Sequence, residues 1–196
     1  MALRNRLPSL MFWRRSRAAA DEAPLPGALH VLMVCTGNIC RSPTAEVVLR
    51  TKLRAAGLQR AVAVASAGTS DQHRGEPPDL RAVRHAALRG YDLSALRARG
   101  LEGADFTRFH WMVAMDASVL RILRKRLAPD APVQTSLLLD YAPQLGRTEV
   151  PDPYYGAPAG FEEVLDLVEA GCDGLVAELS RRIETLPAGG PLRRPA

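Results

Sequence analysis

Cys35 and Arg41 are separated by five residues, Thr36-Gly37-Asn38-Ile39-Cys40, and Ser42 follows directly. A cysteine attacks as its thiolate, and an arginine presents a planar fork that matches two phosphoryl oxygens, which a lysine does not copy. A short loop between a strand end and a helix start turns successive backbone N–H groups toward one anion. The helix N-terminus adds favourable partial charge there. The same field favours the thiolate, so Cys35 reads as a nucleophile and Thr36, Gly37, Asn38, Ile39, Cys40, Arg41 and Ser42 as a phosphate-binding loop. Ser42 can donate a hydrogen bond to the thiolate and later to the departing sulfur. Gly37 and Asn38 are residue types that tolerate the left-handed backbone angles of a tight loop.

The flanking segments supply the elements such a loop needs. His30 to Cys35 is a short apolar run, suited to a strand buried on both faces of a parallel sheet. Ser42-Pro43 opens a helix to about Ala56, with Pro in the tolerated first turn and Gly57 as the stop. Ala61 to Ser66 reads as a second strand, Ala67 to Glu76 as a polar loop, and Pro77 to Gly90 as a helix. Its expected apolar face is Leu80, Val83, Ala87 and Leu88. A third strand follows over His110 to Met115, then a helix over Ala117 to Leu127 and a short fourth strand over Val133 to Ser136. From Gly160 a long amphipathic helix carries Phe161, Val164, Leu165, Val168, Cys172, Leu175, Val176, Leu179 and Ile183 as one stripe. The alternation predicts an α/β fold, doubly wound in the flavodoxin-like manner: a mainly four-stranded parallel sheet with helices on both faces. Its site should lie at the C-terminal ends of the strands.

The net charge of +5 looks like a nucleic-acid signal until it is located. Residues 1–27 hold five arginines against Asp21 and Glu22, and the tail adds Arg193 and Arg194. Residues 28–186 hold 19 basic and 19 acidic residues, so no polyanion partner is expected for the domain. The expected organisation is a disordered basic extension over 1–27, one domain over 28–186 and a frayed tail over 187–196. Contact of residues 1–27 with a membrane surface or a partner is the alternative reading of that extension. Three cysteines, at 35, 40 and 172, are too few for a disulfide framework and lack metal-ligand spacing. A reactive thiol needs reducing surroundings, so the expected location is cytoplasmic. None of His30, His73, His85 and His110 has a sequence setting that marks a ligand or a general base.

The run Val34-Cys-Thr-Gly-Asn-Ile-Cys-Arg-Ser-Pro-Thr-Ala-Glu46 resembles the signature of low-molecular-weight protein tyrosine phosphatases. Ser66-Ala-Gly-Thr69, Gly75-Glu-Pro-Pro-Asp79, Ala114-Met-Asp116 and Pro151-Asp-Pro-Tyr-Tyr-Gly156 follow in that family's order, so the resemblance runs from about His30 to Ile183. It implies hydrolysis of phosphotyrosine through a phosphocysteine intermediate, with no cofactor and no metal. It assigns Asp152 as the acid that protonates the leaving oxygen and then as the base that activates water. The flanking prolines agree with that role, because they stiffen the loop that holds the carboxyl. It also implies that Cys40 protects Cys35 from oxidation by forming a disulfide with it. The implied partner is a tyrosine-phosphorylated protein, for which bacterial relatives offer a tyrosine kinase of an exopolysaccharide pathway.

Departures from the family pattern sharpen the expectation. Ile39 stands where a related group associated with phosphoarginine carries Thr, and its hydrocarbon suits an aromatic ester better. Arsenate reductases of similar architecture need two further cysteines in a segment that here, Tyr91 to Arg108, has none. Gln72 stands where many relatives have an aromatic pocket wall, which leaves Tyr154 and Tyr155 to stack on an aryl group. Leu96 replaces the His of a His-x-Ala-Arg segment that supports the Asn–Ser network, so Asn38, Ser42 and Ser66 are expected to be held differently. The alternatives kept open are a phosphoarginine or broad phosphomonoester phosphatase and a non-catalytic phosphoprotein-binding domain.

Overall fold

The structure, a computed structural model, describes residues 24–25, 27–131, 133–157 and 159–185. Four strands form one sheet in the order β2-β1-β3-β4: β1 Leu29–Cys35, β2 Val62–Gly68, β3 Trp111–Ala114 and β4 Gln134–Leu137. Every pairing is parallel, with Val31 opposite Val64 on one side and Trp111 on the other. The helices are α1 Arg41–Ala55, α2 Leu80–Leu88, the single turn α3 Asp105–Arg108, α4 Ala117–Arg126 and α5 Ala159–Glu184. This is the doubly wound, flavodoxin-like α/β fold.

Strand alternation sorts the core into two layers. Val31, Met33 and Cys35 of β1 pack with Val48, Leu49 and Leu53 of α1 and with Val164, Val168, Cys172, Leu175 and Leu179 of α5. Leu32 and Val34 face the other way, onto Val119, Leu120 and Leu123 of α4 and onto Phe109. Seven of the nine residues of the α5 stripe are buried, and Val176 and Ile183 are partly buried at its edge. Gly174 lets α5 approach the 3-10 turn over Leu138–Tyr141, since a Cβ there would sit 1.8 Å from the Tyr141 carbonyl oxygen.

One expectation needs correction. The inner face of α2 is Ala82 and Ala86, packed with Phe161 and Leu165 of α5, whereas Leu80 is 81% and Leu88 75% exposed. Small side chains face α5 because the two helices approach closely, and the larger leucines are turned outward. At the N-terminal side, Leu25, within the extension expected over 1–27, donates its N–H to the Arg60 carbonyl. The expectations for residues 1–23 and 187–196 lie outside the described residues. No helix among the described residues is long and apolar enough to cross a membrane.

β1 is central, and the chain leaves its C-terminal end for α1 while β3 lies on its other side. The loop from Cys35 to Arg41 therefore occupies the point where strand order reverses, which is where open α/β sheets bind ligands.

Candidate active site

Backbone ties hold the loop in place. Thr69 N donates to Cys35 O, Ser70 N to Thr36 O and Asp79 N to Ile39 O, each at 2.9 Å. Gly68 makes this approach possible, because a Cβ there would lie 2.6 Å from the Thr36 carbonyl oxygen. Asn38, at φ 56°, is the one non-glycine residue with positive φ among the described residues. Gly37 does not use the left-handed region; its small size matters because a Cβ would meet the His73 ring at 3.1 Å. No side chain caps α1, so its first N–H groups remain directed at the loop.

The Cys35 sulfur is buried, shares a hydrogen bond with the Ser42 hydroxyl at 3.0 Å and accepts one from Asn38 N at 3.3 Å. The Asn38 Nδ2 group donates to Ser42 Oγ and to Ser66 Oγ, both at 2.9 Å, and its Oδ1 accepts the Arg99 N–H at 2.9 Å. Ser66 in turn donates to Glu46 Oε2 at 2.5 Å, and Glu46 pairs with Arg50 at 2.7 Å. The Asn–Ser network is complete with Leu96 in place of the family's His. Burial pushes the Glu46 carboxyl above its ordinary range, and Arg50 and the Ser66 hydroxyl oppose that only in part.

Arg41 is almost fully buried, at 4% exposure, and divides its fork between two carboxylates. Nη1 donates to Asp116 Oδ2 at 2.6 Å and to Val150 O at 3.2 Å, and Nη2 donates to Asp152 Oδ2 at 2.7 Å. Asp116 also caps α4 through Val119 N and accepts the Ser118 hydroxyl. Burial works against its charge, but the bonds from Ser118, Val119 and Arg41 outweigh it and hold the carboxyl below the usual range. Asp152 is braced by Tyr154 N at 3.2 Å, in a short turn between the two prolines.

These groups line one cavity of about 130 Å³, bounded by Cys35 to Gly37, Ile39 to Arg41, Asp152, Tyr154 and Tyr155, with Gln72 and His73 on the facing wall. All the site residues expected from the sequence meet here, except that Asn38 and Ser42 sit behind the cavity wall. Tyr155 is 95% exposed and forms only the rim. Cys40 lies in the wall as a free thiol, pushed well above its ordinary range by burial and then by the Asp79 carboxylate. Cys172 is a buried core thiol on α5.

The sequence reasoning missed three residues. His73 faces Tyr154, with ring centroids 6.5 Å apart, and is held by Glu76 at 2.7 Å, so the wall expected to be polar carries an imidazole beside Gln72. Asp116 was legible as a motif residue but not as the partner of Arg41; its signal is an acidic N-cap directly after a buried strand. Glu46 gave the signal of a carboxylate on the inner side of a helix.

A buried thiol and a guanidinium fork around an anion-sized cup, at the switch point of a parallel sheet, define a doubly wound enzyme of the phosphate-loop thiol class. Residues 30–185 match the family described as low molecular weight phosphotyrosine protein phosphatase. A low molecular weight protein-tyrosine-phosphatase of Streptomyces coelicolor is 46% identical over 160 residues, covering 79% of this chain and 96% of the relative. The crystal structure of a protein tyrosine phosphatase from Entamoeba histolytica superposes with a TM-score of 0.76 at 34% identity, covering 79% of this chain and 98% of the other. That of YfkJ from Bacillus subtilis gives 0.75 at 33% identity, covering 83% and 99%. The chain belongs to the low molecular weight phosphotyrosine protein phosphatase family. It is a protein-tyrosine phosphatase, a hydrolase whose family chemistry depends on a cysteine.

Proposed function

We propose that Cys35 Sγ attacks the phosphorus of a phosphotyrosine in line, while Arg41 and the amides of Thr36 to Ser42 hold the equatorial oxygens. As the S–P bond forms, the bond to the tyrosine oxygen breaks and Asp152 gives that oxygen its proton. Water then attacks the phosphocysteine, Asp152 takes the water's proton, and Ser42 donates a hydrogen bond to the departing sulfur. The observation that carries this reading is the double hydrogen bond to the Cys35 sulfur, 3.0 and 3.3 Å, in the same cavity as the Arg41–Asp152 pair.

Ile39, His73 and Tyr154 give the cavity an aromatic and hydrocarbon lining, which supports an aryl ester over phosphoarginine or phosphoserine. Rates on matched phosphotyrosine, phosphoarginine and phosphoserine peptides should rank in that favour. Cys35→Ser should abolish turnover, and Asp152→Ala should accumulate a phosphoenzyme. Full activity in Cys35→Ser ends the proposal.

Cys40 supports a protective role: a sulfenic acid on Cys35 would condense with the Cys40 thiol, giving a disulfide and releasing water. Such chemistry, and the need for a reduced nucleophile, support a cytoplasmic location for the domain over residues 28–186. The substrate is a tyrosine-phosphorylated protein, and a tyrosine kinase of an exopolysaccharide pathway is the member of that class the resemblance brings forward.

A further inference from the structure

The orientation of the Asn38 amide decides which way protons run behind the nucleophile. A backbone N–H only donates, so the Asn38 atom 2.9 Å from Arg99 N is the oxygen. Nδ2 is thereby turned to both serine hydroxyls, each of which accepts one bond and has a single proton left to give. Ser66 gives its proton to Glu46 Oε2 at 2.5 Å. When Cys35 is a thiolate its sulfur can only accept, and Ser42 gives it that proton at 3.0 Å, nearer than the other acceptor, Ala67 O at 3.3 Å. With the amide reversed, Ser42 would donate to Asn38 and turn a lone pair toward Cys35.

The N–H that sets this direction is held from outside the cavity. Arg99 forks onto Asp105, Nη1 to Oδ2 at 2.9 Å and Nη2 to Oδ1 at 3.1 Å. Asp105 is buried, and its Oδ2 also accepts the Glu102 N–H at 2.9 Å, so the pair locks the turn that follows Arg99. Gly68 N donates to Arg99 O and Leu101 N to Gly68 O, both at 2.8 Å, which joins this segment to the end of β2. Neither Arg99 nor Asp105 lines the cavity.

We propose that the Arg99–Asp105 ion pair is a positioning device for the nucleophile. It fixes the Arg99 N–H, the N–H fixes the Asn38 amide, and the amide keeps the Ser42 hydroxyl aimed at Cys35 Sγ. The inference rests on Cys35 being the nucleophile. The other charged or titratable groups around the thiol are Arg41, Asp152 and His73 in the cavity, Asp116 behind Arg41, and Glu46 with Arg50 behind Ser66; Arg99 also acts electrostatically on Glu46, so Asp105→Asn carries the decisive sign.

Direct electrostatics and positioning give opposite signs for one variant, which makes the test. Removing the Asp105 charge would by direct Coulomb interaction alone favour the Cys35 thiolate, because the repulsion from an anion is lost. Positioning predicts that Asp105→Asn and Arg99→Gln both disfavour it. The readout is the ratio of Cys35 alkylation rates by iodoacetamide at pH 6 and pH 9, with the labelled peptide identified by mass spectrometry. The rates are taken where circular dichroism shows each variant folded at both pH values, because unfolded Cys35 would also react; the ratio needs no turnover, so it fails separately from the Cys35→Ser test. Both variants should lower it about fivefold, the scale of one weakened hydrogen bond to a charged group, and Arg99→Lys should recover at least half the loss. An unchanged or raised ratio in Asp105→Asn overturns the proposal. Should neither variant fold, hydrogen exchange at the Arg99 amide decides. It should accelerate about tenfold in Asn38→Ala, as expected for the loss of its acceptor, and equal protection overturns the proposal.

Discussion

Arg41 meets Asp116 at 2.6 Å through Nη1, in a contact where the arginine is 4% and the aspartate 14% exposed. The same carboxylate caps α4, so the residue that starts that helix also aims the arginine. The second contact of the fork is different in kind, since Asp152 is 47% exposed and held at 2.7 Å through Nη2. Under the proposed mechanism a phosphate should displace Asp152 from Nη2 and leave Asp116 on Nη1. In that mechanism one carboxylate orients the arginine, and the other is the one expected to turn toward the leaving oxygen.

Asp116→Asn separates these functions, because asparagine caps a helix about as well as aspartate but carries no charge. The Km for an aryl phosphate and the inhibition constant of inorganic phosphate should both rise about tenfold, as expected for losing a charge-assisted partner. Thermal stability at neutral pH should fall by about 1 kcal/mol or less. Asp116 is held below the usual carboxyl range, so its stabilisation is present above its ordinary value of about 3.9 and is lost as pH falls through the lowered one. Wild-type and variant acid-unfolding curves should converge below that point. A wild-type Km in Asp116→Asn would show that Val150 O and the loop alone aim Arg41.

Asp152→Ala should reduce kcat/Km, which reports the step that expels the leaving group, by about two to three orders of magnitude on phosphotyrosine, in the range for removing a general acid. The loss should be smaller on p-nitrophenyl phosphate, whose leaving group needs little protonation. Steady-state rates on both substrates check this. An equal loss on the two would mean that Asp152 acts through Arg41 and not on the leaving oxygen.

The distribution of what the sequence revealed follows from range. Cys35, Arg41 and their loop are contiguous, and their setting between a strand and a helix is a local pattern, so both were legible. The α5 stripe was legible because nine apolar residues recur at helical spacing over a long element. The α2 face was not, because a nine-residue helix offers two competing stripes and the contact with α5 selects the smaller side chains. The Arg41–Asp116 and Asn38–Arg99 contacts join residues 75 and 61 positions apart, and no local pattern encodes such pairings. His73 was hidden for a related reason: its neighbour Gln72 occupies the expected wall position, and only the turn between them brings the imidazole over Gly37.

Glu46→Gln should change the pH dependence of stability in a defined direction. The folded carboxyl is raised above its ordinary value of about 4.3, mainly by burial, so the folded state binds its proton more tightly than the unfolded chain does. Stability from this group therefore declines as pH rises through the window between those two values, and increases as pH falls through it. Urea unfolding across pH 4 to 7 should show the wild type gaining on Glu46→Gln toward the acid end. A difference that is flat or opposite in slope would place the Ser66 and Arg50 contacts ahead of burial.

The His73 wall gives a prediction that discriminates substrates. Its ring lies 6.5 Å from that of Tyr154 at an angle of 50°, and Glu76 holds the imidazole from behind. An aryl group entering between them gains contact from both rings, about 1 kcal/mol for one such pair beyond simple burial. His73→Ala should thus raise the Km for a phosphotyrosine peptide about fivefold, by that energy. The Km for a small alkyl phosphate, which reaches only the loop, should stay within about twofold because its grip comes from Arg41 and the amides. His73→Phe should keep the aryl preference, since the wall needs a flat ring and not a charge. Parallel Km changes on the aryl and alkyl substrates would mean that His73 acts on the loop through Gly37, where its ring fills the space a Cβ would need.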